Sequence, residues 1–354
     1  MPDMIPRAQF VKKLLSWYRL HARKLPWRRT KDPYKIWISE VMLQQTTVKA
    51  VVEYYARWCR RFPTVEALAL ADLEEVLKAW QGLGYYARAR NLHQTSRILV
   101  EKCDGKIPQD PDILGALPGL GPYTTGAVLS IAFGQPRPIV DANIRRVFQR
   151  LWAIRKLPKH FDDKLSGILA DMIPAGNAGD FNQSLMELGA LVCRSKEPTC
   201  NVCPISRFCQ AYQHDIQEII PASKASNTSQ IHAVVAVIRQ KGKILIQKRA
   251  AKGLLADLWE FPGGKIQESD KTPQVALERE LSEELGQLCQ VGRHLGRVRH
   301  YYTQFRVDLE VYEAFAEKIA AGESLRWVSP KDLVDKYPMP SGSAKIVRNI
   351  LQIT

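Results

Sequence analysis

The sequence predicts a multidomain chain, an all-α helical domain followed by a smaller α+β domain. Three observations predict it. Residues 1–220 carry apolar residues at three- and four-residue spacing broken by Pro and Gly, as in VVEYYARWCRRF, LADLEEVLKAW and TTGAVLSIAFG. The stretch PASKASNTSQ, 221–230, is small, polar and aperiodic, as a linker is. Beyond it, in residues 231–354, the period changes. IHAVVAVIRQKGKILIQKR reads as two strands about a Lys-Gly turn, TPQVALERELSEELG as a helix and FRVDLEVYEAF as a further strand. The 354 residues suffice for two or three domains with cores of their own.

Composition narrows the class. With 45% hydrophobic and 25% charged residues, the chain reads as a soluble globular protein. The N-terminal MPDMIPRAQFVKKLLSW has no uninterrupted apolar core and no small-residue cleavage site, so a secretory signal is not expected. A membrane span is not expected either, because no sufficiently long apolar run occurs. These readings suit a cytosolic protein, or a nuclear one in a eukaryote. The formal charge is +15, with 31 Lys and Arg against 21 Asp and Glu in residues 1–220 and 20 against 15 in the remainder. A surplus in both parts suits a polyanionic partner such as nucleic acid, although a basic solvated surface gives the same sum.

CRSKEPTCNVCPISRFC, 193–209, holds four of the seven cysteines, Cys193, Cys200, Cys203 and Cys209, in the spacing C-x6-C-x2-C-x5-C. In a reducing compartment such clusters are more often metal ligands than disulfides. Four thiolates can enclose a tetrahedral Zn²⁺ or a [4Fe–4S] cube. Zinc ribbons use two C-x2-C pairs and this stretch has one, so the wide spacing better fits a loop around the larger group. Arg194, Lys196 and Arg207 lie among the ligands, which suits a rigid basic loop against a phosphate backbone. Cys59, Cys103 and Cys289 stand alone and read as ordinary buried thiols.

LPGLGPYTTGAV, 117–128, sets Gly119 and Gly121 around one apolar residue between two helical segments, a motif spanning about 114–130. A tight turn between helices accounts for it. So does phosphate binding, because the glycines expose backbone N–H groups beside a helix N-terminus. Together with the cysteine loop, whose spacing is similar to that of endonuclease III, the hairpin resembles the helix-hairpin-helix DNA glycosylase superfamily. There the hairpin grips DNA beside the target nucleotide. Bifunctional members carry Lys where this chain has Tyr123, and tyrosine forms no imine. The resemblance therefore implies a monofunctional enzyme that uses water.

Glu40 lies in the apolar, helix-patterned WISEVMLQQT. Ile36 and Trp37 precede it by one turn, and Leu43 and Gln44 follow by one. A carboxyl on such a stripe has a raised pKa and can act as a general acid near neutrality. Asp141 in PIVDANIRRV stands ahead of a helical stretch, a position where Asp is often just an N-cap. Cleaving an N-glycosidic bond takes a proton for the leaving base and a negative charge beside an oxocarbenium-like sugar. Paired carboxylates do comparable work in O-glycosidases, so Glu40 and Asp141 are the candidate pair. A base inside a duplex is out of reach, so the nucleotide must be flipped out.

LPWRRTKDPYKIWISEVMLQQT, WQGLGYYARARNLH, LPGLGPYTTGA, VDANIRRV and FNQSLMELGALVC closely resemble the MutY family of adenine DNA glycosylases over nearly all of residues 10–215. GLLADLWEFPGG carries the resemblance into the C-terminal domain. It implies a [4Fe–4S] cluster on the four cysteines, and double-stranded DNA carrying adenine opposite 8-oxoguanine or guanine as partner. Glu40 would protonate adenine N7, Asp141 would stabilise the sugar cation or briefly bond to it, and Tyr123 and Asn143 would support that centre. Arg23, Trp27, Arg28, Leu43 and Glu187 would line the pocket for the flipped adenine. Gln45 and Tyr85 would wedge into the stack beside the oxidised guanine. Without the resemblance, Trp27 and Tyr85 read as core aromatics. A monomer is expected, with the DNA occupying a cleft between the domains.

Two departures stand out. Ala142 follows Asp141 where the family usually has Gly, which would be costly only if positive φ were required there. The family's Phe-Ser-His loop for 8-oxoguanine corresponds here to Tyr302, Thr303 and Gln304, so an aromatic ring and a hydroxyl remain but the ionisable ring is lost. A competing signal is RELSEELG, 279–286, which resembles a Nudix-box helix and would offer Glu280, Glu283 and Glu284 to Mg²⁺. Upstream the box fails, with Lys271 near the place of a glutamate and Gln287 at its closing apolar position. The expected C-terminal fold is therefore Nudix-like with a vestigial metal site, or the glutamates are simply a solvated helix face. Two other functions suit the same scaffold: an endonuclease III-like glycosylase-lyase for oxidised pyrimidines, and a non-catalytic DNA-binding iron–sulfur protein. Recognition of oxidised guanine is expected to survive in altered form. Gln304→His should change affinity for the 8-oxoguanine mispair relative to the guanine mispair, and equal ratios in a binding titration would refute that role.

Overall fold

The computed structural model describes residues 6–222, 229–302, 305–316 and 319–353. Thr303 and Gln304 lie outside the described residues. In chain order the first helices are α1 (Arg7–His21), α2 (Pro33–Leu43), α3 (Val48–Arg61), α4 (Val65–Leu70), α5 (Leu73–Trp80) and α6 (Ala87–Cys103). They are followed by α7 (Pro111–Gly115), α8 (Pro122–Ala132), α9 (Ala142–Leu151), α10 (Phe161–Ala170), α11 (Ala178–Leu191) and α12 (Gln210–Gln213). Strands β1 (Ser229–Gln240), β2 (Lys243–Lys248), β3 (Trp259–Glu260) and β4 (Gly263–Lys265) precede α13 (Pro273–Leu285). Then come β5 (Gln290–Tyr302), β6 (Phe305–Phe315), β7 (Leu325–Val328), α14 (Pro330–Asp335) and α15 (Ser341–Lys345). Two compact units divide this chain: residues 1–69 with 94–225, and residues 70–93 with 226–354. Among the described residues no helix is long and apolar enough to cross a membrane.

In the first unit the elements expected from helical spacing form. α2 starts where Asp32 accepts hydrogen bonds from the N–H groups of Tyr34 and Lys35, with Pro33 at its first position. It ends at Leu43, one residue short of the Gln44 expected to continue it, and Gln45 turns left-handed at φ 55°. α8 is buried at every position from Thr124 to Ile131, as a helix apolar all round must be. Its Gly126 is needed, because a Cβ there would lie 2.8 Å from Ile139 Cγ2 and 3.0 Å from the Pro138 carbonyl. That close approach lets the segment leading to Asp141 run against α8. The core joins Phe10 and Leu14 of α1, Ile36 of α2, Phe148 of α9, and Phe181 and Leu185 of α11.

In the second unit β1 pairs in parallel with β6 from Ser229 to Ile238, and β5 lies antiparallel on the outer side of β6. β2 and β4 join β1 antiparallel, and β3 and β7 pair with β2. Ala233 to Ile238 of β1 are all buried because both faces are covered. Val235 and Val237 point into a core with Trp259, Phe261 and Val311. Val234, Ala236 and Ile238 face Ala276, Leu277 and Leu281 of α13. The expected Lys-Gly turn forms, with Lys241 at φ 48° and Gly242 at φ 74°, the left-handed pair a two-residue hairpin requires. α13 is capped by the Thr272 side chain and closed by Gly286 at φ 66°. β1 begins at Ser229, inside the stretch 221–230 expected as a linker. Residues 70–93 fall in this second unit. Helical periodicity on both sides of that stretch hides the division. LADLEEVLKAW also breaks between Leu70 and Leu73, where α4 gives way to α5.

Candidate active site

Five segments of the first unit bring their polar groups into one cavity of ≈160 Å³, lined by Arg23, Trp27, Arg28, Glu40, Leu43, Tyr123, Asp141, Asn143 and Glu187 among others. A larger hollow of ≈650 Å³ by Asp32, Glu66 and Lys106 holds none of the expected site residues, so chemistry rather than size selects the site. Glu40 is 4% exposed. Tyr123 Oη donates to Glu40 Oε2 at 2.7 Å, and Met186 Sδ lies 3.4 Å from the same hydroxyl. Burial pushes the Glu40 carboxyl up to about 7, against the Tyr123 hydrogen bond, with Asp141 adding to the rise and Arg28 opposing it. Burial also raises the Tyr123 phenol well above its ordinary range, so it stays a donor.

Asp141 is both an N-cap and a cavity residue. Its Oδ1 accepts from the Ile144 N–H at 2.7 Å and its Oδ2 from Asn143 Nδ2 at 2.8 Å. Ala142 is the first residue of α9 and is not among the described residues with positive φ, so the missing glycine carries no strain. Asn143 Oδ1 accepts in turn from Arg146 Nη2, which also donates to Gly189 O, while Arg146 Nε donates to the Cys193 carbonyl.

Glu187 of α11 is a saturated acceptor, 1% exposed. It accepts from the backbone N–H, Nε and Nη2 of Arg23 and from Nη1 and Nη2 of Arg28, at 2.6–2.9 Å. Burial would raise its pKa, but the two guanidiniums hold it down at about 2. Trp27 is buried edge-on to Tyr55 while also lining the cavity, so the core reading and the pocket reading both hold for it. Gln45 does not line the cavity. It shares with Tyr85, in the second unit, a left-handed backbone, φ 55° and φ 49°. Such a conformation is uncommon for a bulky side chain and marks a place where the surrounding structure imposes it. Tyr85 is 40% exposed, unlike a core aromatic. Gly119 at φ 77° makes the hairpin turn and Gly121 is the N-cap residue of α8.

The four clustered cysteines are free thiols within electrostatic reach of one another. Burial, with mutual repulsion added, pushes Cys200 up to about 11 and, despite one backbone hydrogen bond, Cys203 to about 12. Arg150, 1% exposed, donates to Cys193 Sγ at 3.3 Å and to the carbonyls of Arg194, Ser195 and Ile220. Among the described residues no three His, Cys, Asp or Glu side chains are gathered so as to hold a metal ion. This holds for the Nudix-like helix too. There Arg279 is held by Asp270, Glu280 and Glu283, while Glu284 accepts from Gly263 N–H and Gln247. Tyr302 ends β5 with its ring edge-on to His300, centroids 4.4 Å apart, and its neighbour Tyr301 is the exposed aromatic there.

Sequence reasoning missed three contributors. Gly189 sits where a Cβ would come 2.5 Å from Asn143 Cβ and 3.1 Å from its Cα, so only glycine lets α11 approach the start of α9. A lone Gly inside the helical pattern MELGAL was the available signal. Arg146 and Arg150 of α9 carry no such local signal, because the carbonyls that accept from them lie far along the chain.

Comparisons with known proteins bear on this geometry. A model described as HhH-GPD superfamily base excision DNA repair protein matches residues 38–170, and a NUDIX domain model matches residues 233–349. The human protein named adenine DNA glycosylase is 37% identical over 368 aligned positions, spanning 88% of this chain and 67% of its own. Its mouse counterpart is 34% identical, spanning 92% of this chain and 75% of its own. Among solved structures, a thermostable thymine-DNA glycosylase is similar to 59% of this chain over 97% of its own, with TM-score 0.55 and 31% identity.

Glu40 makes a stability prediction. Its folded pKa of about 7 lies above the ordinary 4.5 of an unfolded Glu, so between these values the folded protein binds more protons and loses stability as pH rises. Glu40→Gln should therefore raise the thermal unfolding midpoint at pH 8, with the gain shrinking toward pH 5.

Proposed function

We propose that this chain, which belongs to the adenine DNA glycosylase family, hydrolyses the N-glycosidic bond of an adenine flipped out of duplex DNA opposite 8-oxoguanine or guanine. The observation that carries this reading is Glu40, a buried carboxyl near neutral pKa, hydrogen-bonded by Tyr123 and enclosed with Asp141. The protonated carboxyl donates to adenine N7 as the bond to C1′ breaks, and the base departs neutral. The Asp141 carboxylate, steadied by Asn143 and the α9 N–H, faces the electron-poor sugar or briefly bonds to C1′. Water adds at C1′ and its proton leaves to solvent or to the Glu40 carboxylate. Tyr123 keeps its proton and, as a phenol rather than an amine, forms no imine, which supports hydrolysis without strand cleavage.

Double-stranded DNA is the partner in this reading, bound by a single copy of the chain. Gly119, Gly121 and the N-terminal amides of α8 meet a phosphate. Gln45 and Tyr85 enter the stack, and the end of β5 with Tyr302, Thr303 and Gln304 meets the oxidised guanine. Cys193, Cys200, Cys203 and Cys209 suit a [4Fe–4S] cluster: four free thiols of one short segment, within electrostatic reach of one another. When bound, such a cluster would tie the basic loop together and could hold an electron.

Single-turnover base release from duplexes with adenine opposite 8-oxoguanine and opposite guanine tests the function. Release from both is expected, faster opposite 8-oxoguanine, abolished by Glu40→Gln, and falling as pH rises above about 7 where the acid is lost. Release of thymine opposite guanine, or of oxidised pyrimidine, in place of adenine would overturn it. Gly189→Ala should slow adenine release by roughly tenfold to a hundredfold by displacing Asn143, while DNA binding measured by titration holds.

A further inference from the structure

The wedge residue Tyr85 belongs to the second unit, and the hydrogen bonds that hold its segment come from residues far along the chain. Glu74, in the first turn of α5, accepts from Lys248 Nζ at 2.7 Å and Trp259 Nε1 at 3.2 Å, with Arg326 Nη1 at 3.8 Å. Lys78 Nζ donates to the Tyr337 carbonyl at 3.0 Å, and Met339 N–H donates to Gln81 Oε1 at 3.2 Å. Tyr86, the residue next to the wedge, is buried and donates its hydroxyl to the Met339 carbonyl at 3.1 Å. Arg90 donates to the Ala256 carbonyl at 2.9 Å. Locally, Arg88 finishes the loop. It donates to the carbonyls of Leu83 and Gly84 at 3.1 Å, and its guanidinium lies over the rings of Trp80 and Tyr85. Gly82 at φ 105°, Gly84 at φ 72° and Tyr85 at φ 49° make a left-handed turn that local bonds shape and that the long-range bonds of its two flanks anchor.

We propose that residues 229–353 position the Tyr85 wedge through Glu74 and Tyr86, so that the Nudix-like half of the second unit sets mispair discrimination by a route separate from the β5–β6 turn. This rests on the reading of Tyr85 as a wedge beside the base opposite adenine. Glu74 and Tyr86 are positioning residues, since neither reaches the DNA in this scheme. Their effect passes through Tyr85 and vanishes where Tyr85 is absent.

The test is a double-mutant cycle in the full chain, read as the ratio of single-turnover adenine release opposite 8-oxoguanine to that opposite guanine. Tyr86→Phe, which removes one hydroxyl, and Glu74→Lys, which sets like charges against Lys248 and Arg326, should each shrink that ratio by about three- to tenfold. Tyr85→Ala should shrink it at least as far, and Tyr85→Ala combined with Tyr86→Phe no further. The swap Glu74→Lys with Lys248→Glu should recover part of the ratio. An unchanged ratio in Tyr86→Phe overturns the proposal even if Glu74→Lys folds poorly, and so do losses that add in the double variant, the signature of a merely structural role. Wild-type protein that releases adenine from neither duplex overturns the function itself, an outcome the unmutated control separates from these.

Discussion

The first unit is arranged around a carboxyl group that is almost wholly buried. Glu40 stands in α2 among Ile36, Trp37, Ile38, Val41 and Met42, all buried, and its environment must keep it tolerable without neutralising its use. A guanidinium in direct contact would fix the charged form and remove the acid. What touches it is a phenol, a donor that tempers the burial shift but leaves the carboxyl near neutrality. The two arginines of the cavity instead grip Glu187, which is held ionised by five hydrogen bonds. Glu40 and Glu187, two carboxyls in one cavity, are thus pushed apart in pKa, one toward neutrality and one toward strong acidity.

Backbone contacts too small to see in a sequence hold this arrangement. Gly126 lets the segment before Asp141 lie on α8, and Gly189 lets α11 approach Asn143. From Asp141 a chain of donors runs through Asn143 and Arg146 to the Cys193 carbonyl, so the cysteine loop and the site share a support. The residues that line the cavity all belong to the first unit. The acidic helix of the second unit is closed by Arg279, which stands among the glutamates as an internal cation.

Much of this was legible beforehand because its signals are local. Helical period, the Lys-Gly hairpin, the capped helix α13 and the cysteine spacing all depend on near neighbours in sequence. The buried environment of Glu40 could be read from Ile36, Trp37 and Leu43, since residues one turn apart share a helix face. Asp141 could not be decided, because an N-cap and a catalytic carboxylate look alike until the cavity is seen. Arg146 and Arg150 were not legible for a physical reason: the carbonyl acceptors that make their burial tolerable lie far along the chain. The assignment of residues 70–93 to the second unit was illegible for the same reason, since its bonds join residues far apart in sequence.

That last feature bears on how the molecule is made. Glu74 meets Trp259 across 185 residues, and Lys78 meets Tyr337 across 259. During synthesis α5 leaves the ribosome long before the sheet that completes its unit exists. The first unit can close around the gap, because residues 1–69 and 94–225 carry their own core. Until the sheet arrives, Glu74 and Lys78 of α5 wait for Trp259 and Tyr337, the residues they bond in the finished unit. A chain interrupted after residue 225 therefore loses the sheet and leaves a piece of its front half without the body it was built to join.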